Sequence, residues 1–111
     1  MTIIVPVDQD HSLHSMVSGH FGRAAYFAVF EKEGSETPGT LKIIPNKSQH
    51  TGGRGLPAQN VLALNPDIVI STGMGRHAII FFQQARVGVL QCPSGTMEQV
   101  ITLFNEKNFL N

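Results

Sequence analysis

The sequence contains little cysteine, no excess of charge and no long hydrophobic run, and each shortage excludes a class of protein. A single cysteine, Cys92, excludes an internal disulfide and suits a reducing cytoplasm. Eight Lys and Arg residues balance eight Asp and Glu residues, whereas nucleic-acid and membrane-surface binders usually carry a basic stripe. No segment approaches the roughly 20 apolar residues of a membrane span, and the first residues lack the pattern of a signal peptide. We therefore predict a cytoplasmic protein that binds neither nucleic acid nor membranes.

The rest of the composition is that of one globular domain. Hydrophobic residues make up 41% of the 111 residues and charged residues 14%, which is typical of a chain that buries a core. This length predicts a single domain over residues 1–111. Runs rich in β-branched and aromatic residues predict five strands, over residues 2–7, 26–31, 41–44, 67–71 and 87–91.

Three helices are predicted between and after the later strands. The first begins at Pro57 and ends before Asn65-Pro66, and the third follows a capping box in residues 96–99. The second covers residues 77–86; its apolar run Ile79–Phe82 could also form a strand, but the segment's length favours a helix, and we assign the run to core packing. The order β-β-β-α-β-α-β-α predicts an α/β domain with a mostly parallel sheet and helices on both faces.

Four loops at one edge of this sheet would hold most of the chemically versatile side chains. If the second strand is antiparallel and the others are parallel, residues 9–25, 46–56, 72–76 and 92–95 leave the carboxyl ends of the parallel strands, where ligands of α/β sheets bind. All five histidines, three arginines and the only cysteine lie in or beside these loops: His11, His14, His20, His50, His77, Arg23, Arg54, Arg76 and Cys92. This clustering predicts a functional site at that edge.

The most informative segment is the heptapeptide SGHFGRA at residues 18–24. Neutral histidine is the commonest metal ligand, arginine offers a rigid fork for oxyanions, and glycine lets the backbone approach a ligand closely. His20 and Arg23 are therefore candidate ligand-binding residues. The chemistry alone leaves a second interpretation open, in which the segment is a structural turn with Phe21 in the core, His20 hydrogen-bonded and Arg23 in water.

A second motif, G-x-G-x-x-A at residues 73–78, follows a predicted strand and begins a helix. Free amides and the helix dipole at such a turn can face an anion. As a dinucleotide fingerprint the motif is weak, because the next strand ends in Gln91-Cys92-Pro93 rather than in an acidic residue. Residues 52–55, G-G-R-G, lack the Lys-Ser/Thr pair of a Walker A loop. A ligand-free turn and a site for some other anion both remain open.

Other catalytic and metal-binding patterns are poorly supported. Asp8 ends the first strand, where a metal-dependent nuclease would hold a carboxylate, but its acidic partners are missing. No G-x-S-x-G motif indicates a serine triad, and Cys92 is better explained as a small, partly buried thiol than as a nucleophile. His11-x-x-His14 has no C-x-x-C or H-E-x-x-H beside it, so zinc is not indicated.

Taken together, the motifs resemble those of a known family. Residues 18–27, SGHFGRAAYF, resemble the S-x-HFGRA-x-YF signature of the dinitrogenase iron–molybdenum cofactor biosynthesis family, of the NifX and NifB C-terminal type. Gly52-Gly53 is similar to a second glycine motif of that family, and residues 67–75, DIVISTGMG, are similar to its D-V-V-I-x-G-G-M-G strand and turn. Residues 87–89 and 96–99 resemble its last strand and helix, so the resemblance spans nearly the whole chain.

The resemblance implies a three-layer α/β/α, ribonuclease-H-like fold with a five-stranded mixed sheet in the order 3-2-1-4-5 and strand 2 antiparallel. It also implies a carrier or assembly factor, not an enzyme, that binds an iron–sulfur or iron–molybdenum–sulfur cluster or its precursor. Metal-cluster donor or acceptor proteins would be its partners. We expect the chain to be a monomer or a weak homodimer.

The candidate cluster-binding residues are His20, Phe21, Gly22, Arg23, Gly53, Gly73, Met74 and Gly75, and the candidate metal ligands are His20, Cys92 and His50. Arginine and helix amides would stabilise an anionic cluster, and His20 or Cys92 could ligate iron. Since soft ligands are so few, we expect transient holding of a preformed cluster. Two alternatives are an enzyme or sensor for a small phosphorylated or anionic ligand, with His20 as general base, and a regulatory module with a vestigial pocket.

Overall fold

The structure, a computed structural model, describes residues 1–34, 39–46 and 57–106, and it contains the elements that the sequence predicts. The strands are β1 (Thr2–Val7), β2 (Tyr26–Glu31), β3 (Thr40–Pro45), β4 (Ile68–Ser71) and β5 (Gly88–Gln91). The helices are α1 (Pro57–Leu62), α2 (Arg76–Gln84) and α3 (Met97–Glu106). None of the described helices is long and apolar enough to span a membrane.

The strands form one sheet in the order β3-β2-β1-β4-β5, which confirms the predicted order. β2 runs antiparallel to both of its neighbours, whereas β1, β4 and β5 are parallel to one another. The carboxyl ends of the parallel strands therefore meet at one edge, and the loops that follow β1, β4 and β5 begin there.

Helices cover both faces of the sheet because the central strand is apolar on both sides. Alternate residues of β1 point to opposite faces: Ile3, Val5 and Val7 pack toward α3, while Ile4 packs toward α1 and α2. The α3-side core consists of Ile3, Val5, Val7, Val17, Ala28, Phe30, Ile70, Met97, Val100 and Phe104. The α2-side core consists of Ile4, Phe21, Phe27, Val61, Val69, Phe82 and Val87.

Local signals in the sequence set several helix ends. The predicted capping box forms at α3, where the Thr96 amide donates to Gln99 Oε1 (2.9 Å) and the Gln99 amide donates to Thr96 Oγ1 (3.3 Å). α1 begins at Pro57 as predicted. α2 ends at Gln84, before the predicted Arg86, because Arg86 adopts a left-handed backbone conformation with φ of 64°.

The long segment between β1 and β2 contains two short 3-10 turns that periodicity does not predict. They cover Ser12–His14 and Phe21–Arg23, and the second holds most of the SGHFGRA motif. Three predicted loop residues, His50, Gly53 and Arg54, lie outside the described residues, as does the rest of the second glycine motif.

Candidate functional site

The SGHFGRA segment is tethered to the end of β1 and presents its imidazole to solvent. The Ser18 amide donates to the carbonyl oxygen of Pro6 at 2.8 Å, which fixes the start of the segment beside the central strand. The Ser18 hydroxyl then bonds both backbone groups of His20, accepting from its amide (3.2 Å) and donating to its carbonyl (3.1 Å). Ser18 is buried, whereas His20 is exposed.

Phe21 anchors the middle of the segment in the α2-side core. Its ring centroid lies 5.6 Å from that of Phe27 and 5.7 Å from that of Phe82, and only 5% of the residue is exposed. Because Phe21 is held inside, the flanking His20 and Arg23 are both held at the surface. The structure thus combines both interpretations of the motif: an anchored structural turn that presents an exposed imidazole and guanidinium.

The turn after β4 packs directly against this segment. The Phe21 amide donates to the carbonyl oxygen of Gly73 at 3.2 Å, and the Ser71 hydroxyl donates to the same oxygen at 3.1 Å. A Cβ atom at Gly73 would lie 2.5 Å from the carbonyl oxygen of Gly19, closer than real Cβ contacts allow. Residue 73 must therefore be glycine for the two loops to approach this closely.

The same turn leads into α2, whose N-terminus has no side-chain cap. Gly75 is the N-cap residue, no side chain among the described residues caps the first turn, and that turn has no acidic residue. The first backbone bond of the helix runs from the Ile79 amide to the Gly75 carbonyl, so the amides before Ile79 are not used within the helix. These amides and the helix dipole make a favourable position for an anion.

The two loops, α1 and α2 line an open cavity of about 830 Å³. Its lining consists of Gly19, His20, Phe21, Gly22, Arg23, Pro57, Ala58, Gln59, Gly73, Gly75, His77, Ala78 and Phe81. The described lining contains two imidazoles and one guanidinium but no carboxylate and no thiol. A ligand in this cavity would meet both the hydrogen-bond-donating groups of His20, Arg23 and His77 and the apolar surfaces of Pro57, Ala58 and Phe81.

Most of the predicted binding residues lie around this cavity. His20, Phe21, Gly22, Arg23, Gly73 and Gly75 all line it, while Met74 packs against the α2-side core instead. Gly53 and His50 lie outside the described residues.

Cys92 lies apart from His20, on the other face of the sheet. It packs with the α3-side core and lines a separate cavity of about 290 Å³ with Leu90, Val100 and Phe104. The physical reason is the strand alternation: Leu90 and Cys92 point to the α3 side, and the Cys92 amide continues the ladder by donating to the Ser71 carbonyl (3.0 Å). Burial raises the pKa of the Cys92 thiol above its ordinary 9.0, an effect that the nearby Thr72 hydroxyl opposes. The structure does not bring His20 and Cys92 together.

Two of the remaining histidines also lie apart from His20. His11 and His14 are exposed around the first 3-10 turn and do not line the 830 Å³ cavity. Across residues 1–34, 39–46 and 57–106, no three His, Cys, Asp or Glu side chains are grouped so that they could hold a metal ion. The described side chains would therefore supply few ligands to a metal bound in the cavity.

His77 and Phe81 line the cavity although neither is among the candidate binding residues chosen from the sequence, where His77 is named only among the histidines beside the loops. His77 stands in the first turn of α2, and its position two residues after the N-cap Gly75 could have indicated that it faces the same cavity. Phe81 was assigned to core packing with Ile79–Phe82, but only Phe82 is fully buried, and Phe81 forms part of the cavity wall. Four residues separate His77 from Phe81, which places both on one face of the helix.

Comparisons with known proteins agree with this fold and with the motifs. A family model described as dinitrogenase iron-molybdenum cofactor matches residues 1–107. No functionally curated protein matches the sequence. The crystal structure of PH0822 is 27% identical, with 96% of this chain and 92% of that chain covered and a TM-score of 0.81.

Two further solved structures show how widely the fold occurs. An NMR structure from Thermotoga, provisionally named a NifB protein, is 27% identical, with 95% of this chain and 87% of that chain covered and a TM-score of 0.75. A fowlpox virus Holliday junction resolvase shares the fold alone. It is 16% identical, with 96% of this chain and 75% of that chain covered and a TM-score of 0.54. The predicted ribonuclease-H-like fold is confirmed.

Proposed function

Since the chain belongs to the dinitrogenase iron-molybdenum cofactor family, we propose that it binds and carries a preformed anionic metal–sulfur cluster, or a precursor of one, in the 830 Å³ cavity. Membership in the family supports the broader role, which is the handling of metal clusters related to the iron–molybdenum cofactor. The finer proposal concerns the form of the cargo and the residues that hold it.

The observation that carries the proposal is the chemistry of the cavity lining. Arg23, His20, His77 and the free amides of α2 are cationic or hydrogen-bond-donating, and they suit a cargo with negative charge and exposed acceptor atoms. The absence of thiols and carboxylates from the described lining suits a cluster whose metals already carry their own sulfur ligands. A cluster assembled from free ions would need more protein ligands.

His20 and His77 are the candidate metal ligands within the cavity. Each offers a nitrogen donor, and both are exposed, so neither must be removed from a packed core to reach the cargo. Two imidazoles make a weak set compared with the four cysteines that usually hold a stable cluster. This favours transient holding and transfer between donor and acceptor proteins, and we propose the cytoplasm as the location.

The proposal is tested by anaerobic titration with two probes, a synthetic thiolate-ligated [4Fe–4S] cluster and isolated iron–molybdenum cofactor. We expect charge-transfer absorbance that saturates with a defined Kd. His20→Ala should weaken binding by about tenfold or more, since hydrogen bonds and contacts to charged groups are worth roughly 1.5–3 kcal/mol. Arg23→Gln should weaken it by a similar factor.

The matched control is His14→Ala, which removes an exposed imidazole in a 3-10 turn outside the cavity. This variant should bind both probes as the wild type does. The proposal is wrong if the wild type binds neither probe, or if His14→Ala weakens binding as much as His20→Ala.

A second candidate function rests on the uncapped N-terminus of α2. Its free amides, with Gly73–Gly75 beside them, would also suit the phosphate of a small molecule, as in an enzyme or sensor with His20 as general base. The described cavity lining offers no carboxylate partner for such a base. A thermal-shift screen with nucleotides and sugar phosphates separates the two functions, because only this candidate expects a rise in Tm with those compounds.

A further inference from the structure

A fully buried hydroxyl lies at the end of β4, where the rest of the strand is apolar. Ser71 follows Ile68-Val69-Ile70 and has no exposed surface. Its hydroxyl donates to the carbonyl oxygen of Gly73 at 3.1 Å, and it does not line the cavity. An apolar residue would serve the core equally well, so the hydroxyl must be explained by its bond to Gly73.

The Gly73 carbonyl oxygen is the point at which the two cavity loops are joined. It accepts from the Ser71 hydroxyl and from the Phe21 amide, at 3.1 Å and 3.2 Å. On the far side of His20, the buried Ser18 hydroxyl bonds both the amide and the carbonyl of that residue. His20 is therefore held between Ser18 and the Phe21–Gly73 bond, and Ser71 orients the acceptor of that bond.

We infer that Ser71 and Ser18 are positioning residues that fix His20 relative to the start of α2. Neither hydroxyl would touch the cargo. Without the Ser71 hydroxyl, the Gly73 carbonyl keeps only the Phe21 amide and can rotate, and the turn from Phe21 to Arg23 gains freedom. The cavity would then have to be ordered at the moment of binding, which lowers affinity. This consequence for affinity rests on the proposed function, whereas the hydrogen-bonded connection between Ser71, Gly73 and Phe21 does not.

Hydrogen exchange tests this hydrogen-bonded connection in the protein without any cargo. In Ser71→Ala, the Phe21 amide should exchange faster by about fivefold to tenfold, as expected when one buried hydrogen bond is weakened. The Cys92 amide, which donates to the backbone carbonyl of Ser71 at 3.0 Å, should keep its wild-type rate because the strand ladder is untouched. Ser18→Ala should speed exchange of the His20 amide in the same way.

The matched control is Ser15→Ala. Ser15 is also fully buried, and its hydroxyl also bonds one backbone group, the His11 amide at 2.8 Å, but it lies outside the cavity. This variant should leave the Phe21 amide unchanged. The positioning role of Ser71 is refuted if Ser71→Ala does not speed exchange at Phe21, or if it speeds exchange at Phe21 and Cys92 equally. Ser71 would then be a packing residue.

Titration of the same variants with the [4Fe–4S] probe then separates this inference from the proposed function. Ser71→Ala should weaken binding by about threefold to tenfold, while Ser15→Ala, with a similar loss of stability, should bind normally. If the wild type binds no probe, the proposed function fails and the exchange rates still test the hydrogen-bonded connection. If exchange at Phe21 quickens but affinity is unchanged, the effect of Ser71 on the cargo is refuted.

Discussion

The close approach of Gly19 and Gly73 shows that the cavity depends on the lack of a side chain at residue 73. The glycine at position 73 lets the turn after β4 come against the backbone of the SGHFGRA segment, so both loops share one cavity. A single methyl group is enough to separate them, because the obstructing atom is a backbone oxygen that cannot rotate away as a side chain would.

Gly73→Ala should therefore destabilise the protein and weaken cargo binding. The added Cβ would meet the Gly19 carbonyl oxygen at 2.5 Å, and such overpacking costs about 1–3 kcal/mol. Urea unfolding measures the loss. Gly19→Ala is the control, since a Cβ there meets no atom within 4 Å, and equal destabilisation by both variants would contradict the explanation.

Cys92 predicts a dependence of stability on pH at the other face of the sheet. Burial raises the pKa of its thiol above 9.0, so the folded protein keeps this proton to higher pH than the unfolded chain does. Its contribution to stability is complete below pH 9.0 and is lost as the pH rises through the folded-state pKa.

The difference in Tm between the wild type and Cys92→Ser measures this effect, with reductant present. The Tm difference should be constant at pH values well below 9.0, and the wild type should lose stability relative to Cys92→Ser as the pH rises above 9.0. A difference that stays constant across the whole range would contradict the assignment of the thiol as a desolvated group.

The N-terminus of helix α2 is poorly stabilised by the protein itself. Gly75 has the extended backbone of an N-cap, with φ of −65° and ψ of 156°, yet it offers no side chain to the first-turn amides. Arg76 follows it, although a cation is unfavourable at that end of a helix dipole. The anionic cargo proposed above would bond the uncapped amides and offset the unfavourable charge of Arg76.

Two substitutions at Gly75 separate these effects. Gly75→Ser should stabilise the protein by about 0.3 kcal/mol through capping, and Gly75→Asp by about 1 kcal/mol, because its charge also favours the dipole. A Cβ at this position meets no atom within 4 Å. Affinity for the [4Fe–4S] probe should change little in the Ser variant and fall about tenfold in the Asp variant, since the carboxylate repels the cargo. Equal affinities in both variants would contradict an anionic cargo at this helix end.

The whole molecule is built on two cores that share one sheet. The α3-side core and the α2-side core meet across β1, whose side chains belong to both. The described lining of the candidate cavity lies on the α2 side. Because the net charge of the chain is zero, local groups rather than the overall field of the protein would attract the proposed anionic cargo.

Because β1 belongs to both cores, the two should unfold together. The sequence has no Trp and one Tyr, so intrinsic fluorescence reports Tyr26 in β2, while far-UV circular dichroism reports mainly the helices. We expect coincident urea transitions from the two signals, as for a single domain. Separated midpoints would show that the helical layers unfold independently of the sheet.

Local patterns account for most of the fold. Hydrophobic runs predict the five strands, Pro57 predicts the start of α1, and Thr96 and Gln99 predict the cap of α3. These succeed because each depends on residues close together in the chain. The two 3-10 turns were not predicted, since turns of three residues leave no periodic pattern.

The sequence by itself determined the strands, the helices and the set of loops from which the site is drawn. Only the tertiary structure decided which side chains meet. The loops after β1 and β4 place His20, Gly73 and Gly75 around one cavity, while Cys92 faces α3 from the end of β5. The physical reason is that a shift of one residue along a strand moves a side chain to the opposite face, and the side that each strand end presents is settled by the packing of both cores.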